Sequence, residues 1–165
     1  MNSNVESGIL AFLADQLDAE EATHGTGAAA ITILAATIGG KQVQLFAATS
    51  NASIAEPLAK VCVKSSDAKI DAADTVLELW MTTMEIMIAT PRNHSNFTEA
   101  DHRAITAAVC AEMTLDNLAT IATALAGFGI SACNRWYYAG APDQHTDGHW
   151  ITLLRYDPFG FTVTL

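Results

Sequence analysis

The chain has 165 residues, half of them hydrophobic, with 8 lysines and arginines against 18 aspartates and glutamates, a formal net charge of −10. This length suits one domain with a substantial core, and the apolar content excludes a disordered protein. Because affinity for nucleic acids and anionic membranes depends on lysine and arginine, we expect no direct nucleic-acid binding and no membrane association.

The N-terminal segment is amphipathic and acidic. Ile9, Leu13 and Leu17 recur every four residues, which predicts a helix from Val5 to Glu21. The first 40 residues contain no lysine or arginine but five carboxylates. These carboxylates indicate either a solubilising surface or an acidic face that docks on a basic partner; they are Glu6, Asp15, Asp18, Glu20 and Glu21.

A β-hairpin is predicted next. The segment is rich in Ile and Thr, and Gly39-Gly40 in its middle is typical of a tight turn. In the second strand Val43, Leu45 and Ala47 alternate with polar residues, so one face of that strand should be buried.

The middle of the chain shows helical spacing of apolar residues and several capping signals. Ser53 begins a capping-box pattern, Pro91 ends a helical stretch, and Thr98 begins a second capping box. Whether the last of the three segments forms one kinked helix or two stays open. The predicted helical segments are 54–65, a longer one that begins at Asp71 or Asp74 and reaches 89, and 98–127.

Beyond Gly129 the hydrophobic residues recur with a period of two, which predicts strands over 131–139, 149–156 and 159–165. Asp157-Pro158 predicts a turn before the last of these strands. The sequence therefore predicts a single α+β domain over residues 1–165. Its parts are an N-terminal helix and β-hairpin, a central helical block, and a C-terminal three-stranded antiparallel meander that shares one sheet with the hairpin.

The densest polar cluster lies between the last predicted strands. It places potential metal ligands at every second position, and such a mixed His and carboxylate set suits a divalent transition metal such as Zn²⁺. The alternative is a solvated loop without a cofactor. The four candidate ligands are Asp143, His145, Asp147 and His149.

A hydrolytic site is a second possibility. Gly148-His149-Trp150 at the start of an apolar strand, with Asp157 beyond, resembles the histidine strand of papain-like cysteine hydrolases. The resemblance covers a short segment. It implies a general base, His149, oriented by Asp157 or Asp147 and served by a cysteine nucleophile such as Cys133 or by a bound metal.

Two further features indicate binding surfaces. On the predicted helix over 71–89, four acidic residues share one face, which is either a solvated face or a docking site. The aromatic strands contain Trp136 and Tyr138, which would anchor an interface if exposed, and a homodimer through this sheet is expected. The acidic residues are Asp71, Asp74, Glu78 and Glu85.

The three cysteines form no paired framework, and the N-terminus lacks the pattern of a signal peptide, so a reducing cytoplasm is the expected location. We expect a small acidic interaction protein that binds a protein partner. It would act as an inhibitor or decoy that presents an electronegative face to a basic, nucleic-acid-binding site. The alternative is the small hydrolase built on His149.

Overall fold

The fold consists of an N-terminal helix, a run of strands, two helices and a final set of strands. A computed structural model describes the backbone of residues 1–165 and every side chain except those of Asp67 and His145. Over this described chain the elements are α1 Asn2–Gln16, β1 Glu20–His24, β2 Ile31–Ile38, β3 Lys41–Ala47, β4 Ala59–Ala73, β5 Leu77–Pro91, α2 Glu99–Glu112, α3 Leu118–Ala126, β6 Ala132–Gly140, β7 Asp143–His145 and β8 His149–Thr164.

The strands form one mixed sheet. Its order is β1-β2-β3-β4-β5-β8-β6, and β7 pairs with β8 outside this path. β3 and β4 run parallel, whereas the pairings on either side of them are antiparallel. The predicted α+β fold, in which the hairpin and the C-terminal strands share a sheet, is confirmed.

The predicted N-terminal helix and hairpin are both present. α1 ends at Gln16 rather than at Glu21, since Glu20 and Glu21 already pair with β2 as part of β1. The turn between β2 and β3 is Gly39-Gly40, with φ of 58° and 76°. Two successive left-handed residues match the twist of a two-residue hairpin, and glycine adopts that conformation without a steric penalty.

Two of the predicted helices, 54–65 and 71–89, are wrong, because most of these residues lie in β4 and β5. In β5 the core-facing residues follow a period of two, with Met84, Ile86 and Ile88 completely buried. The spacing of Met84 and Ile88 fits both a helix and a strand. The intervening Ile86 and the β-branched composition favour the strand.

The last predicted helical segment forms two helices, which decides the point that the sequence left open. The predicted capping box is present: the Thr98 side chain accepts from the Asp101 amide, and Asp101 Oδ2 accepts from the Thr98 amide at 2.7 Å. Among the described residues, no single helix is long and apolar enough to cross a membrane. Only the pair Glu99–Glu112 and Leu115–Ala126, bent by 49°, meets that test together.

The helices pack against the sheet around one main core. Val5, Ile105 and Ile121, one from each helix, are fully buried in a single cluster with residues of the central strands. The area removed from water by these side chains is the main source of stability. A smaller cluster lies beneath the connection between β3 and β4, where Ala55 packs on Ile33.

The C-terminal strand differs from the prediction at one point. The turn expected at Asp157-Pro158 is wrong, because β8 continues through these residues to Thr164. The register with β5 shifts there, between Thr82 and Met84. Such a bulge accommodates the proline without ending the strand.

Candidate functional site

The structure does not bring the predicted catalytic residues together. His149 begins β8 opposite Pro91, Asp157 follows eight positions later on the same strand, and Cys133 pairs with Phe161 further still. At the usual rise of a strand, the Cα atoms of His149 and Asp157 are about 25 Å apart. Burial also raises the pKa of the Cys133 thiol to about 12, which disfavours a nucleophilic thiolate.

The candidate metal ligands whose side chains are described form no metal site either. The His145 side chain lies outside the described side chains. Among the side chains that are described, no group of three or more His, Cys, Asp or Glu residues could hold a metal ion. Asp143 instead accepts a hydrogen bond from the Thr152 hydroxyl at 2.6 Å, and the Asp147 carbonyl accepts from the Asn93 amide group at 2.6 Å.

The predicted acidic face is not formed, because its residues lie on two strands and the turn between them rather than on one side of a helix. Glu85 is paired with Arg155 through two hydrogen bonds of 2.9 and 2.7 Å. Glu78 accepts from the indole of Trp80 at 2.9 Å. The structure thus divides the four residues between a turn and two strands; they are Asp71, Asp74, Glu78 and Glu85.

Asp74 has a local role in the turn between β4 and β5. Its Oδ1 accepts from the amides of Val76 and Leu77 at 2.7 and 3.0 Å. These backbone hydrogen bonds hold the pKa of the Asp74 carboxyl below its usual value. The carboxylate therefore stabilises the turn, as an aspartate at the start of a turn commonly does.

The aromatic residues of β6 divide between core and surface. Trp136 is 5% exposed and stacks on Phe159 with 5.9 Å between ring centroids, so it is not an interface anchor. Tyr137 and Tyr138 are half exposed. Arg135 lies over the Tyr137 ring at 5.4 Å. The homodimer expected through these strands stays a prediction, now without Trp136.

An uncompensated acidic surface does exist, at the junction of α1 and β1. We call its four exposed carboxylates the acidic corner: Asp15, Asp18, Glu20 and Glu21. No ion pair of the described chain involves any of them. The last turn of α1 contains no basic residue, so the negative end of the helix dipole adds to their field.

The acidic corner borders an open strand edge. β1 pairs with β2 along Glu20–His24, and no strand lies on the other side of β1 in the described chain. A shallow depression of about 300 Å³, which includes Leu17 and Asp18 in its lining, lies over the adjoining face of β1, β2 and β3. Unpaired backbone groups and carboxylates therefore lie together at this edge.

Glu6 belongs to the same acidic segment in sequence but not in space. It is 1% exposed, and its carboxylate accepts from the Thr49 amide at 2.9 Å, the Thr49 hydroxyl at 2.7 Å and the Ser65 amide at 2.7 Å. These bonds tie α1 to the sheet. Glu6 is thus an internal anchor and not part of the acidic corner.

Sequence reasoning missed a polar chain that the fold builds beneath α2. The ring of His102 is buried, with Nδ1 2.9 Å from the Thr90 hydroxyl and Nε2 2.9 Å from the Thr152 hydroxyl. Thr152 in turn donates to Asp143. This chain, which we call the His102 chain, joins α2, β5, β8 and β7.

One signal in the sequence pointed to His102. It shares the buried side of α2 with Ile105, three positions later, and with Val109, a further four positions along. A histidine on such an apolar stripe needs hydrogen-bond partners from other elements, because a buried imidazole without them is costly. Only the pairing of strands shows that these partners are Thr90 and Thr152.

Comparisons with known proteins do not assign the chain to a family. No protein-family model matches it, and no curated protein matches its sequence.

Proposed function

We propose that this protein is a protein-binding domain whose acidic corner and β1 edge receive a basic, extended segment of a partner protein. The observation that carries the proposal is the open edge of β1 beside four exposed carboxylates without ion pairs. A segment added as a strand would form main-chain hydrogen bonds with β1. Its lysine or arginine side chains would meet the acidic corner.

The charges on β1 also favour a partner over a second copy of this chain. If two copies paired through β1, their two acidic corners would be brought close together at one short junction, and like charges at short range repel. Charged edge strands commonly protect sheets from such self-association. A basic segment removes the repulsion, so the edge selects for it.

We also propose that the protein acts as an inhibitor or decoy of a nucleic-acid-binding protein. Nucleic-acid-binding proteins present lysine- and arginine-rich segments to phosphates. A domain with a net charge of −10 is attracted to the same segments. Occupying such a segment would compete with the nucleic acid.

The first experiment titrates the protein with a fluorescein-labelled peptide of alternating lysine and valine. We expect E20K/E21K to weaken binding at least about tenfold, since it reverses two charges at the contact. The matched control is D116K/D147K, which changes two exposed carboxylates elsewhere and gives the same net charge of −6, raised by four from −10. Equal loss in both variants would show general charge attraction and overturn the proposal.

A second peptide tests strand addition separately. N-methylation of alternate residues keeps the positive charges but removes the amides that would pair with β1. We expect the methylated peptide to bind at least about tenfold more weakly. Unchanged affinity would mean that the partner segment does not add as a strand.

A further inference from the structure

A second candidate site lies between α2 and the strands that pack beside it, away from the acidic corner. It is a cavity of about 460 Å³, within the usual range for small-molecule sites. We call it the His102 cavity. Its wall combines one side of α2 with β6, β7 and β8, and includes His102, Cys110, Tyr138, Asp143 and Trp150.

The His102 chain orients one polar group at this cavity. A carboxylate only accepts, so the Thr152 hydroxyl donates its proton to Asp143 Oδ1, and Thr152 Oγ1 accepts from His102 Nε2. The other ring nitrogen, Nδ1, lies 2.9 Å from the Thr90 hydroxyl. The carboxylate thus sets the direction of the hydrogen bonds as far as His102 Nε2, and Thr152 holds Asp143 in place from the protein interior.

Asp143 keeps capacity for a further partner. Its Oδ1 accepts from Thr152, and Oδ2 has no hydrogen bond to any described side chain. The neighbouring Arg103 is bound to Glu99 at 2.6 Å, an (i, i+4) pair on α2. Asp143 also attracts the Arg103 guanidinium, but more weakly than Glu99 and without a hydrogen bond. Among the described side chains that line the cavity, the carboxylates Glu99 and Asp143 outnumber the single arginine, Arg103, on a strongly acidic protein.

The rest of the wall is aromatic and apolar. Tyr138 is 53% exposed although it lines the cavity, and it packs against the buried Tyr156 with 5.7 Å between ring centroids. Trp150 and Leu154 complete this part of the wall. An accessible aromatic surface beside a fixed carboxylate suits a flat ring that carries a cationic group.

Two buried hydroxyls have no hydrogen-bond partner in the described chain. They are Thr106 Oγ1, on a residue that lines the cavity, and Tyr156 Oη, which is buried. Burial, with smaller contributions from Cys110 and Tyr138, raises the pKa of Tyr156, so its phenol stays protonated. The Thr106 hydroxyl is thus a hydrogen-bonding group on a residue of the cavity wall that no described group uses.

We propose that the His102 cavity binds a small aromatic amine, with the ring against Tyr138 and Trp150 and the ammonium group on Asp143. This site is independent of the β1 edge, because it is built from different elements. The excess of carboxylates among the described wall side chains disfavours an aromatic acid of the same size. His102 is a positioning residue, since both of its ring nitrogens are already hydrogen bonded to threonines.

Calorimetric titration with tyramine tests the proposal, and 4-hydroxyphenylacetate is the control ligand with a similar ring and the opposite charge. We expect tyramine to bind and the acid not to bind. In NMR spectra, tyramine should also shift the indole N–H resonance of Trp150. Asp143→Asn should weaken tyramine binding at least about tenfold, because a charged hydrogen bond becomes a neutral one. The substituted amide retains an oxygen that can accept from Thr152, so the fold should persist.

Two control variants make the result decisive. Asp147→Asn removes the same charge from the same loop, at a residue that does not line the cavity, and E20K/E21K changes only the acidic corner. Both should bind tyramine as the wild type does. Equal or tighter binding of the acid, equal loss in Asp147→Asn and Asp143→Asn, or the absence of tyramine binding would each overturn the proposal.

Discussion

The acidic corner and the His102 cavity differ in how the chain builds them. The corner uses four carboxylates within seven consecutive positions, exposed and without ion pairs. The cavity uses side chains from α2 and from strands about 35 to 50 positions after His102, with His102 and Thr152 buried. The corner therefore acts through a field that water and salt weaken, whereas the cavity acts through fixed hydrogen bonds.

The largest expected effect tests the boundary of the acidic corner. Glu6→Ala leaves the Thr49 amide, the Thr49 hydroxyl and the Ser65 amide without their acceptor. We expect a loss of about 3 to 5 kcal/mol in the free energy of unfolding, measured by urea denaturation. Asp15→Ala, on the same helix but exposed, should change it by less than about 0.5 kcal/mol. Similar values for both variants would contradict the division between anchor and corner.

The next effect compares His102 with a histidine on β1, the strand that borders the acidic corner. His102→Ala removes a buried ring and leaves Thr90 and Thr152 without it, so we expect a loss of about 2 to 4 kcal/mol in the free energy of unfolding. His24→Ala removes a half-buried ring on β1 with a single hydrogen bond, to the Glu56 carbonyl, and should cost about 1 kcal/mol or less. A smaller loss for His102→Ala than for His24→Ala would show that the buried chain is not the stronger element.

The smallest expected effect is an increase, rather than a loss, in the free energy of unfolding. E20Q/E21Q removes like charges from the acidic corner, and we expect the free energy of unfolding to rise by a few tenths, about 0.3 kcal/mol. The gain should vanish near about 1 M salt, where the screening length is only about 3 Å. Thermal unfolding at low and high salt measures both values. A gain that persists at high salt would contradict an electrostatic origin.

The sequence predicted the outer parts of the fold better than its middle. The N-terminal helix, the Gly39-Gly40 hairpin and the Thr98 capping box were all correctly predicted, because each depends on residues close together in the chain. The segment around Met84 and Ile88 was wrongly predicted as a helix. Its four-residue spacing fits two periods, and only pairing with both neighbouring strands selects one of them.

For the candidate sites, too, the sequence showed the local features but not the contacts between distant residues. The acidic N-terminal segment was visible as composition, but the burial of Glu6 and the open edge of β1 were not. Of the residues predicted around the Asp143–His149 loop, Asp143 lies in the cavity wall, with a role as the end of the His102 chain rather than as a metal ligand. The partner residues His102 and Thr152 are separated by fifty positions, a distance that no local pattern spans.

The sequence by itself determined the α+β class, the acidic character and the local elements whose signals lie within a few residues. The tertiary structure alone decided which carboxylates are anchors, which are exposed, and which threonines meet His102. The physical reason is that turns, caps and net charge depend on neighbouring residues. Burial and hydrogen-bond partners depend on strand register and helix packing, which bring distant residues into contact.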